Sequence, residues 1–451
     1  MVRFQPDKSV TGKWRLQGDT AVEVPLDCKR YDLSADVLNA GLLGLDKSDA
    51  RPFDFLMPNG NLLRGSLAAY VADTGASTEE VLVIRYLFVA GKPRPDESAE
   101  TDDWVAALDV FPAAAAGQLP IVASAGYDRA VRIWDADLQP VATLLGHEDA
   151  VRAVRWAPSR AALVSASNDH TLRLWRLSGI DADGSLGRKV AGECVAVYRG
   201  HTDTVQAVAV SPDRPMVASG SWDKTIKIWR IPAASEDAQG AQGDAREGDD
   251  APEAAASSKR RRKGDARADS GKQARVLTAQ GTMTAHAQNV SSLHWAGTNA
   301  LYSGSWDHTV RVWDVDSGAN LSTFNSGKTV LAVDFSQTHS LVASAHGDGK
   351  IRLFDVRVRD GKQVRAALDS HSGFATGVAW SPAADSHQLA SVAHDGKLKV
   401  WDMRASVPLH TVAAHGKPAL AVAYHSADAL VTGGQDNRLA RFVRKQPTGS
   451  E

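Results

Sequence analysis

With 51 Lys and Arg against 53 Asp and Glu, the 451-residue chain has a net charge of −2 and no global field that would draw a polyanion. Hydrophobic residues make up 43% of it, enough for a folded core, and the length leaves room for more than one domain. Cys28 and Cys194 are too few for a disulfide framework and lack metal-ligand spacing. No apolar run approaches the roughly 18 residues of a membrane span, and the first residues have no signal-peptide core. The expectation is a soluble intracellular protein.

Residues 1–90 stand apart from the repeats that follow. Val2-Arg3-Phe4 reads as a short strand, and Ala21 to Leu26 alternates as a second. Ser34 has the chemistry of an N-cap for a helix over 35–43, with Val37, Leu38, Leu42 and Leu43 on its apolar face. Pro58-Asn59-Gly60, between 53–57 and 62–64, is a hairpin signal. A short helix over 66–72 and a buried strand over 81–88 complete the order of a ubiquitin-like β-grasp domain. Residues 91–103 are polar and Pro-containing, as a linker would be.

From Trp104 onward one phrase recurs: a small-residue turn, an Asp, then an alternating strand ending in an aromatic. Its seven copies are anchored at Asp128/Trp134, Asp169/Trp175, Asp223/Trp229, Asp307/Trp313, Asp348/Phe354, Asp395/Trp401 and Asp436/Phe442. The intervals between successive Asp residues are 41, 54, 84, 41, 47 and 41. Three match the roughly 40–45 residue period of a propeller blade, and the long ones mark insertions. A His precedes five of the Asp residues: His147, His201, His286, His371 and His415. The pattern resembles the WD-repeat family, which implies an all-β, seven-bladed propeller with a small α+β domain ahead of it.

In that family the His links the turn Asp to a strand Ser or Thr and to the Trp, so His147, Asp169, His201, Asp223, His286, Asp307, His371, Asp395, His415 and Asp436 read as structural. The first blade has no clear Gly-His, and the fifth has Ser326-Gly327-Lys328 in its place, so the fifth blade's network is expected to be incomplete. The chain ends too soon after Phe442 for another strand. The seventh blade's outer strand is therefore expected from upstream, near residues 87–103, which would close the ring. The propeller reading spans 104–451. The residues just before each turn Asp (Tyr127, Asn168, Trp222, Trp306, Gly347, His394 and Gln435) belong on its top face by this resemblance, with Tyr127, Trp222 and Trp306 as partner-binding candidates.

Two insertions account for the long intervals. Residues 178–193 extend the connection after Trp175. A larger one, about 233–273, is nearly free of bulky apolar side chains, the composition of a disordered segment. Within it Lys259-Arg260-Arg261-Arg262-Lys263 has the form of a nuclear localisation signal, with phosphate contact to rRNA as a second use.

Lys29 to Ser34, Pro52 to Leu56, Leu62 to Leu67 and Asp102 to Val105 resemble a Notchless-type N-terminal domain joined to a propeller. The whole architecture resembles the WD-repeat ribosome-biogenesis factors of the PeBoW complex. The resemblance implies a non-catalytic scaffold in large-subunit assembly and pre-rRNA processing, found in nucleolus and nucleoplasm. Its partners would be pescadillo, the block-of-proliferation protein, the pre-60S particle and the AAA ATPase midasin. An acidic residue in the loop before the domain's last strand would complete the Mg²⁺ site of midasin, a metal held by the partner and not by this chain. The matching loop places Glu79 there, one residue from the alternative Glu80, with Ser77 and Thr78 to orient it.

No phosphate loop, dinucleotide-binding glycine motif or His-Glu-x-x-His is present. Ser, His and Asp recur in nearly every blade as packing units, whereas a hydrolase needs one distinguished set beside a pocket. An enzyme is not expected. The alternative is a WD-repeat substrate adaptor of a ubiquitin ligase, for which no F-box-like segment is seen.

Overall fold

The computed structural model describes residues 1–16, 21–46, 50–77, 80–89, 91–111, 119–159, 161–180, 186–233, 274–358, 364–369, 371–383 and 386–444. The strands of 93–444 form seven sheets, six of four strands and one of five. Within each, an alternating strand such as Thr225–Arg230 pairs with an apolar-to-small strand such as Met216–Ser221, both faces of which are buried by neighbouring sheets. The innermost strands touch in cyclic order, and Ala419–Ser426 packs on Val105–Phe111 to close the circle. The chain is a seven-bladed propeller.

The small domain has strands β1 (Val2–Pro6), β2 (Ala21–Val22), β3 (Phe53–Leu56) and β4 (Leu82–Phe88) in the order β2-β1-β4-β3, with β1 parallel to β4. Its core holds Phe4, Leu33, Leu38, Phe53, Phe55, Leu67, Ile84 and Tyr86. Two local expectations fail for identifiable reasons. The first helix starts earlier, as α1 (Arg30–Asp32), and continues as a π-helical stretch, Leu33–Leu42. Ser34 lies inside it and is no cap, because its hydroxyl accepts the Phe53 amide at 2.8 Å and ties the helix to β3. Leu62–Arg64 is not a strand but a single bridge to Leu56, since the Leu62 amide donates to Arg404 O of the propeller at 3.0 Å. The second helix, α2 (Leu67–Thr74), is capped by Ser66, which accepts the Ala69 amide at 3.2 Å, and ends at Gly75 with φ +64°.

Residues 91–103 are more ordered than a linker. Pro93–Glu100 is a strand, β5, antiparallel to Arg438–Arg444, and it supplies the outer edge of the seventh blade. Within 178–193 the described residues 178–180 and 186–193 are strand, because Leu172–Ile180 and Leu186–Tyr198 continue their pairing past the blade. After the larger insertion the chain returns as Arg275–Leu277, parallel to the outer strand of the second blade, before Gly281–Thr284 completes the third. Those three residues make the fifth strand of the second sheet.

Candidate functional site

Antiparallel order puts the turns between second and third strands, and the connections between blades, on one face of the ring, here the upper face. Each turn carries its Asp, and the residue after it is left-handed in all seven blades: Arg129, His170, Lys224, His308, Gly349, Gly396 and Asn437.

In the second blade, Trp175 Nε1 donates to Ser165 Oγ at 2.8 Å, Ser165 Oγ meets His147 Nε2 at 2.7 Å, and His147 Nδ1 meets Asp169 Oδ2 at 2.8 Å. The Ser165 hydroxyl can accept from the indole and give its own proton to Nε2, while Nδ1 faces the carboxylate. The same chain of bonds joins Trp229, Ser219, His201 and Asp223, then Trp313, Ser303, His286 and Asp307, and then Trp401, Ser391, His371 and Asp395. In the seventh blade His415 joins Asp436 to Thr432, with Phe442 in the indole's place. Burial alone would raise the Asp169, Asp223 and Asp307 carboxyls, but hydrogen bonds from His, Thr and backbone amides outweigh it and hold all three below the usual carboxylate range. Burial lowers the His371 pKa. Five near-identical sets, closed on themselves, have no spare base to offer a substrate.

The fifth blade's network is replaced rather than incomplete. Arg352 clasps Asp348 through both guanidinium nitrogens, at 3.1 and 2.7 Å, and His346, from the second strand itself, meets Ser344 Oγ at 2.7 Å. Burial pushes the His346 pKa down to about 4, so this imidazole is neutral at pH 7. In the first blade Arg132 gives one terminal nitrogen to Asp128 and the other to Asp102. Both blades without the preceding His thus pair the turn Asp with an Arg four residues on.

Around the upper mouth of the channel is a cavity of about 630 Å³ whose lining includes Tyr127, Arg152, Gln206, Trp306, Phe374 and His394. Tyr127 and Trp306 face it, whereas Trp222 stands at its edge, 5.9 Å from Trp306 ring to ring, with its indole N–H on Gln206 at 3.3 Å. Trp104, Trp222 and Trp306 are 37, 37 and 38% exposed, more than seam packing leaves. Arg152, unremarked in the sequence, is the link: it bonds Tyr127 Oη, lies over that ring at 5.0 Å and donates to Gln206 at 3.2 Å. Only the juxtaposition of three blades brings these groups together, so no local signal marks them.

The lower mouth is also a cavity, of about 570 Å³. Trp156, Trp295, Trp380, Tyr424 and His425 line it, and each has a polar side-chain atom without a hydrogen-bond partner among the described residues. The small domain contacts this lower side, where Leu56, Leu62 and Leu87 pack on Ala405 and Leu409 of the sixth blade.

Of the loop before β4, Ser77 and the exposed Glu80 are described, while Thr78 and Glu79 lie outside the described residues, as do Lys259–Lys263. The loop enters β4 at Leu82, and the propeller contact at Leu87 is near the other end. Seven extended residues separate the two ends by roughly 20 Å. Among the described residues no group of three or more His, Cys, Asp or Glu could hold a metal ion, and no helix is long and apolar enough to cross a membrane.

The family model for the WD domain, G-beta repeat, matches residues 138–176, 192–230, 277–314, 318–355 and 361–402, and the model for the NLE (NUC135) domain matches 10–71. Each WD match straddles a blade boundary, from an outer strand to the third strand of the next blade. Similar proteins include the ribosome biogenesis protein WDR12 homologs of Chlamydomonas reinhardtii, 35% identical over 94% of both chains, and Nematostella vectensis, 32% identical over 94% of this chain and 95% of that one. The Oryza sativa subsp. japonica homolog is 31% identical over 93% of this chain and 91% of its own.

Proposed function

Since the chain belongs to the WDR12 family of ribosome biogenesis proteins, we propose that it is a non-catalytic scaffold of large-subunit assembly whose small domain is a grip for the ATPase midasin. The propeller docks the block-of-proliferation protein and, with pescadillo, the pre-60S particle, through Tyr127, Trp222 and Trp306 at the upper mouth. Lys259–Lys263 direct it to the nucleus and its nucleolus. Family membership favours this over the ubiquitin-ligase adaptor.

The observation that carries the reading is mechanical continuity. The loop ending at Glu80 leads straight into β4, and only Val89 to Lys92 separate β4 from β5, which is hydrogen-bonded into the seventh blade. A pull on that loop therefore loads the propeller itself, while the loop stands at the end of β4 remote from the propeller contact. Glu79 supplies the carboxylate to Mg²⁺ on the partner, with Ser77 and Thr78 shaping the loop.

The test is capture of the full chain by the midasin metal-site domain, with Mg²⁺, with EDTA, and with Glu79→Ala and Glu80→Ala. Capture that needs Mg²⁺ and is lost in Glu79→Ala supports the reading. Loss only in Glu80→Ala moves the ligand by one residue. Capture indifferent to metal and to both changes overturns it.

A further inference from the structure

Charge on the upper face differs between the connections that lead into the blades, although the turns of the first and third blades carry the exposed Arg129 and Lys224. The connections leading into the first three blades carry Asp102 and Asp103, then Glu148 and Asp149, then Asp203. Those leading into the fifth and seventh carry Lys328 and Lys417, and the turns of the fifth, sixth and seventh carry Lys350, Lys397 and Arg438. The turn carboxylates of this second arc are turned inward and used: Asp395 by His371 and the Ser372 amide, Asp436 by His415 and the Gly416 amide, and Asp348 by Arg352. Lys350 is paired to Asp369 at 2.6 Å, and Arg438 lies 3.9 Å from the exposed Glu100. Lys328, Lys397 and Lys417 are exposed and have no acidic partner among the described residues.

At the centre of this arc stands Phe374, 54% exposed, with His394 tilted against it at 5.4 Å. The His394 amide donates to Phe374 O at 2.9 Å, which fixes the two rings to each other. Burial lowers the His394 pKa, so the second ring is a neutral π surface at pH 7. The arc is contiguous. A Cβ at Gly349 would sit 2.8 Å from Gly373 O, and one at Gly396 would sit 3.1 Å from Lys417 O. The turn that bears Lys350 therefore abuts the Phe374 connection, and the turn that bears Lys397 abuts the Lys417 connection.

We propose that this half of the upper face, formed by Lys328, Phe374, His394, Lys397, Lys417 and Arg438, binds single-stranded RNA. Each nucleotide offers a phosphate and a flat base, and the arc offers three unpaired lysines and the exposed Arg438 around an exposed aromatic pair, the combination that binds single strands without reading sequence. An acidic peptide would use the lysines but would leave the Phe374 face uncovered. Tyr127 and Trp306 line the same cavity as Phe374 and His394, so an RNA on this arc lies beside the protein held by the other aromatics.

The experiment uses the full chain with Lys259, Arg260, Arg261, Arg262 and Lys263 all changed to Ala, so that only the folded surface is read. A short fluorescent oligouridylate is titrated at several salt concentrations by anisotropy, with oligoglutamate as competitor. Four phosphate contacts give a slope of log K against log salt of about −3. The pair Lys397→Glu and Lys417→Glu should make the slope shallower by about 1.4. Phe374→Ala should weaken binding about ten-fold at unchanged slope. All three positions are exposed, and a thermal melt of each variant confirms the fold. Binding that ignores Phe374→Ala, or that oligoglutamate displaces as well as unlabelled oligouridylate does, overturns the proposal in favour of an acidic protein. Binding unaffected by every variant overturns it outright.

Discussion

Removing one imidazole from the ring of tetrads tests the account of the blades most directly. In His201→Ala the third blade loses two bonds of 2.7 Å, one to Asp223 and one to Ser219. Ser219 is fully buried, and its hydroxyl, which still accepts from Trp229 at 2.8 Å, is left with a proton and no acceptor. Asp223 keeps three donors, the Thr225 amide, the Thr225 hydroxyl and the Thr202 amide, so the charge is not stranded. An unsatisfied buried hydroxyl costs about 1–3 kcal/mol, and a hydrogen bond to a charged group is worth about 1.5–3 kcal/mol. With the cavity and the lost contact on Trp229 included, the expected loss is about 3–5 kcal/mol. The assay is urea unfolding of the full chain read by circular dichroism, for His201→Ala, Ser219→Ala and the pair. The cycle should show coupling of at least about 1 kcal/mol, because both residues serve one bond network. There is a pH signature as well. The Asp223 pKa lies below its unfolded value, so it contributes stability that is present above about pH 4 and is lost as pH falls through the folded value. Without the His201 bond that contribution shrinks, and the acid limb should flatten. An additive cycle, or a loss below about 0.5 kcal/mol, would refute the claim that these bonds hold the blade.

Three further outcomes follow from other parts of the ring. Arg441 donates to Asp96 of the closing strand at 2.8 Å and to Asp137 of the first blade at 3.2 Å, so Arg441→Ala should destabilise closure by about 1–2 kcal/mol, less at high salt since both acids are partly exposed. Comparing melts at low and high salt checks it. A Cβ at Gly433 would stand 2.5 Å from Val105 Cγ1 across the seam between the last and first blades. Gly433→Ala should therefore cost about 1–3 kcal/mol, and Val105→Ala should recover part of that in the double variant. His346 and His425 are buried with pKa values down to about 4, below the unfolded value of about 6.5. Their stability is present above about pH 6.5 and lost as pH falls toward 4, so the melting temperature should drop across that window, and His346→Gln should reduce the drop.

The repeat of small turn, Asp and aromatic-terminated strand determined the ring by itself. A four-stranded blade with two apolar faces has no stable state except between neighbours, so seven such units imply closure before any contact is known. The tetrads were legible for the same reason, since His147 and its counterparts recur at a spacing that only one structure satisfies. Tertiary structure decided whatever depends on segments far apart in the chain. Ser34 looks like a cap until Phe53 reaches its hydroxyl, and Leu62 looks like a strand residue until Arg404 takes its amide. The Arg352 clasp on Asp348 was hidden because a basic residue follows the turn Asp by four positions in most blades, and only a missing His frees the carboxylate for it. Sequence placed the closing strand upstream, but its pairing with Arg438–Arg444, and the return of 275–277 onto the second blade, are decided by which edge stands open when the chain arrives. The upper face is the extreme case. Its aromatic mouth is assembled from residues 20 to 95 positions apart, Tyr127, Trp222, Trp306, Phe374 and His394, on the turns and connections of different blades. No local pattern encodes such a surface, because the ring geometry alone makes those residues neighbours.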